Sequence, residues 1–265
     1  MSSLGRVFVC VTSIMLTAPA YAAGSVYIEE LTSPEIRKLI ASGTTTAIIP
    51  TGGSEQNGPH MAIGKHNTIV RYTAGEIAKK LGNALVAPVI AYVPEGNIEP
   101  PDGHMKFAGT ISLREETYAA LLEDTAASLK QHGFKLICFL GDSGGNQAVQ
   151  KKLAQELTKA WKMQGVTVLQ VSDYYDNNGQ DAWVNSLKLP LKTPNEHAGF
   201  EDTSELMAID KKAVRKNLLG DHSHDNSSVN GISGDSTLAS ARYGSYLLNL
   251  KITAAVGQIQ HAFKP

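Results

Sequence analysis

The chain contains very little cysteine: Cys10 and Cys138 are its two cysteines among 265 residues. Cys10 lies in an N-terminal segment that we expect to be removed, so Cys138 keeps no partner and an intramolecular disulfide is excluded. The fold therefore depends on an ordinary hydrophobic core, which a 42% hydrophobic composition can supply. We expect Cys138 to be a buried strand residue, because its small side chain suits apolar sites.

An excess of positive charge and long apolar runs are also lacking. The formal net charge is −1, and no basic stripe alternates with aromatic residues, so no nucleic-acid partner is predicted. Beyond residues 1–22 no stretch approaches the roughly 18 apolar residues that a transmembrane helix needs. We therefore expect no membrane anchor once that segment is removed. No repeat or linker divides residues 23–265, which we interpret as one α/β domain.

Residues 1–22 have the pattern of a secretory signal peptide. Arg6 supplies a positive start, residues 7–16 are mostly apolar, and Ala20-Tyr21-Ala22 offers a cleavage site with small residues at its outer positions. The apolar run is too short to span a membrane. We expect cleavage after Ala22 and a periplasmic or secreted mature protein.

Helix and strand patterns alternate along the rest of the chain. The pattern predicts strands at 46–50, 84–91, 135–140 and 166–171, and helices at 33–43, 67–81, 114–132, 147–164 and 237–261. Strands that alternate with helices of this length indicate an α/β fold, with a mostly parallel sheet sandwiched by helices. In such a sheet, ligands bind at the carboxyl edge of the strands.

Residues 50–67, PTGGSEQNGPHMAIGKHN, have the highest density of side chains that could bind a metal ion or take part in catalysis. Glu55, Asn57, His60 and His66 lie close together there, directly after a predicted strand. Carboxylate and imidazole groups at this density are typical of a site for a divalent metal. On this segment alone, the alternative is a polar surface loop with coincidental histidines.

Three further polar segments are candidates for the same site. They are residues 102–110 with DGHMKFAGT, residues 141–146 with GDSGGN, and residues 196–204 with EHAGFEDTS. The second of these follows a predicted strand, as the 50–67 segment does. Because the carboxyl ends of parallel strands meet at one edge of a sheet, we expect these two loops to face each other.

Taken in order, five motifs resemble those of the creatininase (creatinine amidohydrolase) family. The family pattern runs E-x-H-G-x-H-L-P-x-x-x-D, a histidine before F-P-G-T, N-G-H-G-G-N, H-A-G-x-x-E-T-S and G-x-x-G-D-P/S. The corresponding residues here are 55–66, 104–110, 141–146, 197–204 and 231–236. The motifs occur in the family's order, and the resemblance extends over nearly the whole mature chain. The chain is identified as a divergent exported member of the family.

The resemblance implies a creatininase-like layered α/β fold, a homo-oligomer that is commonly a hexamer, and a small-molecule substrate. It also implies a centre of divalent metal ions, usually two zinc, manganese or iron ions. Members with this centre hydrolyse a non-peptide C–N bond.

Several ligand positions of the family pattern carry other residues here. Asn57 stands in place of a ligand histidine, His66 in place of the bridging aspartate, Asp142 in place of the glycine-loop histidine, and Asp202 in place of the glutamate of the H-A-G segment. Glu55 matches the first ligand, and His60, His104 and His197 stand at matching positions.

These replacements predict a centre with one divalent ion. We assign Glu55, His66, Asp142 and Asp202 to it, since carboxylates with an imidazole can hold one zinc ion, with manganese or iron as alternatives. A neutral imidazole offers a single lone pair, so His66 cannot bridge two cations. Asn57 is a poor ligand for a transition metal, which weakens a second position.

His197, Glu196 and His104 are assigned to catalysis. Glu196 or Asp202 would take a proton from water, and His197 would protonate the leaving nitrogen, since an imidazole titrates near neutral pH. Two alternatives stay open: His104 braces the turn at residues 109–110, or His197 is a buried, hydrogen-bonded histidine without a catalytic role.

Asn57, His60, Ser143, Gly144 and Asn146 are assigned to substrate binding, with a structural role as the alternative for His60. The predicted function is hydrolysis of a C–N bond in a small polar molecule by a metal-dependent amidohydrolase. A lyase or isomerase on the same metal scaffold and a non-catalytic small-molecule-binding protein remain alternatives. Creatinine is not the expected substrate, because the export signal and the altered centre both argue against it.

Overall fold

The computed structural model describes residues 24–220 and 230–262. The predicted signal peptide, residues 1–22, lies outside these ranges. No helix within the described ranges is both long enough and apolar enough to cross a membrane.

Among the described residues, four parallel strands form one sheet in the order β2-β1-β3-β4. The strands are β1 (Thr46–Thr51), β2 (Ala84–Val86), β3 (Leu136–Gly141) and β4 (Thr167–Gln170). The register pairs Thr46 with Ala84 and Ile48 with Cys138. Both central strands are buried along their whole length, as expected for a sheet covered on two faces.

The helices are α1 (Ser33–Ala41), α2 (Lys65–Leu81), α3 (Glu115–Gln131), α4 (Gly144–Trp161), α5 (Gln180–Ser186), α6 (Phe200–Ile209) and α7 (Ala241–Ala262). Helices α1, α3 and α4 pack on one face of the sheet, and α2 and α7 pack on the other. Helix α6 packs against α7 and α2. The predicted parallel sheet sandwiched by helices is confirmed.

Side-chain alternation in β1 explains the two cores. Ala47 and Ile49 point into the core beneath α3 and α4, whereas Ile48 points into the core beneath α2 and α7. Successive side chains of a strand face opposite sides of the sheet, so one apolar run supplies both layers. Cys138 of β3 is fully buried and free, as predicted.

The observed elements differ from the predicted ones in a few places. The second strand was predicted over 84–91 but ends at Val86. Ala87 N still donates to the carbonyl oxygen of Ile48, but the next donor from β1 would be Pro50, which has no N–H. Helix α4 begins at Gly144, three residues earlier than predicted. Helices α5 and α6 were not predicted, since α5 is short and α6 begins inside a segment interpreted only as a site motif.

Candidate active site

A cavity of about 640 Å³ opens at the carboxyl edge of β1 and β3. Its walls come from the loops after these strands and from α2, α4, α6 and α7. The lining includes Glu55, Lys65, His66, Glu95, His104, Asp142, Ser143, Gly144, Glu196, His197, Glu201, Asp202, Glu205 and Lys251. The two loops that were predicted to face each other across this edge therefore share one cavity.

Close backbone contacts shape the cavity wall. Gly145, in the first turn of α4, lies so near the carbonyl oxygen of Pro94 that a side chain at this position would collide with it. Asn146 donates from Nδ2 to Thr51 Oγ1 at 2.9 Å and to the carbonyl oxygen of Gly52 at 3.0 Å. These contacts join the start of α4 to the end of β1, and so fix the two loops relative to each other.

His66 lies between two carboxylates. Its Nε2 is 2.8 Å from Glu55 Oε1, and its Nδ1 is 2.8 Å from Asp142 Oδ2. Burial and the Lys65 ammonium would lower the pKa of His66, but Glu55 and Asp142 outweigh them and raise it to about 9. His66 is therefore an imidazolium at neutral pH, and both of its ring nitrogens donate hydrogen bonds.

Two buried lysines, which the sequence analysis did not single out, lie beside this imidazole. Lys65 is 1% exposed, and its Nζ lies 2.8 Å from Asp202 Oδ2 and 3.5 Å from Glu55 Oε1. Lys251 is 7% exposed, and its Nζ lies 3.0 Å from Asp142 Oδ1 and 3.1 Å from Glu205 Oε2. Burial alone would lower the pKa of each lysine, but the paired carboxylates raise it instead.

Together these groups form a line of alternating charge, which we call the charge chain. Its members in order are Asp202, Lys65, Glu55, His66, Asp142, Lys251 and Glu205. Burying a charge is costly unless it is paired and hydrogen-bonded, and every member of the charge chain has a partner of opposite charge.

The charge chain also decides the ionisation of its acids. Burial would raise the pKa of Glu55, but His66 and Lys65 hold it well below its usual range. Burial would likewise raise the pKa of Asp142 and of Asp202, but Lys251 and Lys65, respectively, lead the effects that lower it. These carboxylates are therefore ionised at neutral pH.

Glu95, Glu201 and Glu205 differ from these three acids, because burial raises the pKa of each of them. Burial and the neighbouring Glu55 carboxylate raise the pKa of Glu95 to about 8. Its Oε1 is buried and has no hydrogen-bond partner among residues 24–220 and 230–262. Glu95 therefore carries a proton at neutral pH, beside an ionised carboxylate.

Glu55 also meets two histidines on its other side. His104 Nε2 lies 3.3 Å from Glu55 Oε2, and His197 Nδ1 lies 3.7 Å from Glu55 Oε1. One ligand atom from each of these three residues lies within 4.8 Å of the other two. Within the part of the chain that the structure describes, this is the one group of three or more acidic, histidine or cysteine side chains with that geometry.

The side-chain amide of Gln56 holds both imidazoles. Its Nε2 lies 3.2 Å from His104 Nδ1 and 3.2 Å from His197 Nε2. His197 Nε2 also donates to the backbone carbonyl oxygen of Gln56 at 3.0 Å, which leaves Nδ1, the nitrogen that faces Glu55, with its lone pair for a ligand, an arrangement usual for metal-binding histidines. Burial and the nearby Lys65 lower the pKa of His197 to about 4, so its ring is neutral and can coordinate. One carboxylate and two imidazoles are ligand types that suit a divalent metal ion.

The sequence profile of the creatininase family, described as creatinine amidohydrolase, matches residues 29–259. The chain belongs to the creatininase family. The resemblance drawn from its motifs is thereby confirmed.

Two curated relatives act on different molecules. The mycofactocin precursor peptide peptidase of Mycobacterium tuberculosis is 29% identical over 185 residues, which cover 66% of this chain and 63% of that protein. The 3-dehydro-scyllo-inosose hydrolase of Thermotoga maritima is 27% identical over 186 residues, which cover 69% of this chain and 56% of that protein. The matches thus span less than two thirds of the length of either relative.

Solved creatininase structures share the fold. A mutant creatininase superposes with a TM-score of 0.76 at 22% identity, covering 91% of this chain and all of that chain. A creatinine amidohydrolase structure gives a TM-score of 0.74 over 91% of this chain. Other creatininase structures that match are a manganese form and a Zn–Zn form.

The structure places the four predicted metal ligands, Glu55, His66, Asp142 and Asp202, in the charge chain, and one of them, Glu55, also contacts two histidines. Glu55 belongs to the three-residue group with His104 and His197, whereas both of the latter were predicted to be catalytic. His66, Asp142 and Asp202 each bond to a charged partner within the charge chain. Metal binding by these three residues stays a prediction.

The remaining predicted residues have different surroundings. Ser143, Gly144 and Glu196 line the cavity, and Glu196 Oε2 accepts from Ser233 Oγ at 3.2 Å. Catalysis by Glu196 and substrate contact by Ser143 and Gly144 stay predictions.

Asn57, His60 and Asn146 are fully buried and brace loops. Asn57 Nδ2 donates to the carbonyl oxygen of Glu55 at 2.9 Å, and His60 Nε2 lies 3.0 Å from the carbonyl oxygen of Ala198. For His60 this geometry matches the structural alternative. These side chains hold the loops that carry Glu55 and His197, and their substrate contact stays a prediction.

Proposed function

We propose that this protein is a metal-dependent amidohydrolase that hydrolyses a non-peptide C–N bond of a small polar molecule. One divalent ion would be held by Glu55, His104 and His197. The observation that carries the proposal is the meeting of these three ligand atoms within 4.8 Å in a cavity large enough for a small molecule. The family membership supports it, and the names of the two relatives, a peptidase and a hydrolase, support hydrolysis as the reaction class.

Zinc is the proposed ion, with manganese or iron as alternatives, because two imidazoles and one carboxylate suit all three. The manganese and Zn–Zn forms of creatininase support this choice. A bound ion of this kind would lower the pKa of a water molecule and polarise a carbonyl oxygen.

The chain's own residues supply orientation and charge. Gln56 contacts both imidazole rings. Its backbone carbonyl oxygen accepts from His197 Nε2 at 3.0 Å, which leaves Nδ1 of that ring for a ligand, and its side-chain Nε2 lies 3.2 Å from His104 Nδ1. The Lys65 ammonium lies against Glu55 in the cavity wall and would favour negative charge that develops on a substrate oxygen. Glu196, exposed at the cavity surface, is the proposed proton acceptor.

The proposal includes export and assembly. Residues 1–22 would direct the chain to the periplasm or the medium and be removed after Ala22, and the mature chain would form a homo-oligomer, by family resemblance a hexamer. Mass spectrometry of the mature N-terminus tests the first point, and light scattering after size-exclusion chromatography tests the second.

The central experiment measures metal content and hydrolysis together. Mature protein, purified without an affinity tag, is analysed for metals and assayed against a panel of small cyclic and linear amides. We expect one equivalent of metal and an activity that chelation abolishes and zinc restores. His104→Ala and His197→Ala should lose both metal and activity.

His132→Ala is the matched control, since His132 is exposed beyond the end of α3, away from the cavity. It should keep metal and activity. A protein that binds no metal under any reconstitution, or one whose hydrolysis survives chelation, would overturn the proposal.

A further inference from the structure

Lys251 lies where two carboxylates converge. Its Nζ is 3.0 Å from Asp142 Oδ1 and 3.1 Å from Glu205 Oε2, and the side chain is buried in the wall of the cavity. The ring of Tyr174 lies beside it, 4.7 Å from Nζ to the ring centroid. A cation between two buried carboxylates is the arrangement that a divalent metal ion also adopts.

The oxygens of these two carboxylates are already engaged. Asp142 Oδ1 accepts from Lys251 and from the Tyr174 hydroxyl at 2.5 Å, and its Oδ2 is paired with His66. Glu205 Oε2 accepts from Lys251, and its Oε1 accepts from the side-chain amide of Gln180. No oxygen of this pair is left without a donor.

A metal ion and the ammonium exclude each other at this position. An ion such as zinc binds carboxylate oxygens at roughly 2.0–2.2 Å, so it would have to stand within the space that Nζ now fills. The positive charge of the ammonium would also repel it. The lysine is attached to α7 and cannot diffuse away.

We propose that Lys251 is a built-in replacement for a metal ion. Its ammonium takes the position between Asp142 and Glu205 at which a divalent cation would otherwise bind. In the proposed amidohydrolase, on which this part of the inference rests, Lys251 thereby limits the centre to the single ion at Glu55, His104 and His197.

The replacement has a functional effect. Because the Lys251 ammonium is covalently attached to the chain, the charges of Asp142 and Glu205 stay balanced at any metal concentration. The half of the cavity around His104 and His197 depends on the metal supply. One cavity would therefore combine covalently attached cations, Lys251 among them, with an exchangeable one.

The test is to remove the ammonium and count ions. Lys251→Met keeps the length of the side chain and leaves Asp142 and Glu205 without their cation. Mn²⁺ is the probe, because carboxylate oxygens suit it. Equilibrium dialysis with elemental analysis should find one equivalent more in Lys251→Met than in the wild type, and the added site should bind at least about 100-fold more tightly than in the wild type, since the repulsion by the ammonium is gone.

Two variants serve as controls. Tyr174→Phe removes a neutral donor from Asp142 and leaves the ammonium in place, so it should bind as many ions as the wild type. Lys251→Met combined with Glu205→Gln removes one carboxylate along with the ammonium, so it should not gain the extra ion. If Lys251→Met does not fold alone, Mn²⁺ should restore folding in a dose-dependent way.

The outcomes separate this inference from the proposed function. Equal Mn²⁺ stoichiometry in Lys251→Met and the wild type overturns the inference, and so does an unfolded Lys251→Met that Mn²⁺ does not rescue. In either case, an ion that the wild type binds and His104→Ala loses still supports the proposed hydrolase. A wild type that binds no metal while Lys251→Met gains one ion supports the inference and overturns the proposed function. A wild type that already binds an ion lost in Glu205→Gln overturns the inference.

Discussion

The Nδ1 of His66 lies 2.8 Å from Oδ2 of Asp142, and this contact joins the start of α2 to the loop after β3. The same ring reaches Glu55 through Nε2. The imidazolium thus lies between two carboxylates that follow the two central strands of the sheet. Its protonation state affects the stability of the whole carboxyl edge.

The stability of the metal-free protein should fall between pH 6.5 and 9. The folded-state pKa of His66 is raised from 6.5 to about 9, so the folded protein holds a proton that the unfolded chain has lost in this range. The stabilisation is complete below pH 6.5 and is lost as the pH rises through 9, a change of up to about 3 kcal/mol. Urea unfolding at a series of pH values measures it.

His66→Gln should be less stable and should show a smaller fall of stability over this pH range, with the contribution of Glu95, whose pKa is about 8, remaining. His132→Gln is the control, because that histidine is exposed, and its profile should follow the wild type. Equal slopes in His66→Gln and the wild type would contradict the assignment of the raised pKa to His66.

Gln56→Leu should weaken metal binding without removing a ligand. The amide lies 3.2 Å from a ring nitrogen of both His104 and His197, and loss of such outer contacts usually lowers metal affinity about 10- to 100-fold. Competition with a chromophoric chelator measures the dissociation constant. Gln131→Leu, on the exposed end of α3, should leave it unchanged. An unaltered affinity in Gln56→Leu would show that the rings are oriented by other contacts.

Gly145→Ala and Gly257→Ala should have opposite effects on stability. A side chain at Gly145 collides with the backbone of Pro94, which should cost about 1–3 kcal/mol. Gly257 lies within α7 with open space around it, so alanine should stabilise the protein by about 0.5–1 kcal/mol. Guanidinium unfolding compares the two. A neutral Gly145→Ala would mean that the loop at Pro94 moves freely.

Cys138 should not react with a thiol reagent in the native protein. It is fully buried in β3, and burial raises its pKa, so thiolate is scarce and inaccessible. Labelling of the mature chain with Ellman's reagent should appear only with denaturant, at the rate of unfolding. Fast labelling in native buffer would show that β3 opens locally.

The sheet could be predicted from sequence because its strands are short apolar runs bounded by turn residues. All four strands and the helices α1, α2, α3, α4 and α7 follow from apolar patterns that are local to each element. The second strand was predicted too long because its apolar run does not show that the neighbouring strand β1 has a proline, Pro50, where the next hydrogen bond would form. Helix α6 was not predicted because the residues of its first turn were interpreted as part of a site motif, EHAGFEDTS at residues 196–204.

The partners of the site residues could not be predicted in this way. Glu55, His104 and His197 are far apart in sequence, and no local pattern shows which ring nitrogens face the same carboxylate. The ligand set built on His66 instead came from the family pattern. Lys251 did leave a signal, since it is a lone cation in the apolar stretch LLNLKITAAV of residues 247–256.

The position of Lys251 on α7 makes the site and the fold cooperative. If α7 separated from α2 and α6, the carboxylates Asp142 and Glu205 would lose their cation while still enclosed by the rest of the protein. That partial unfolding would carry the penalty of unpaired buried charge in addition to the exposed apolar face of the helix. Both effects raise the free energy of an intermediate in which only α7 is detached. The cavity should therefore be lost in the same unfolding transition as the sheet.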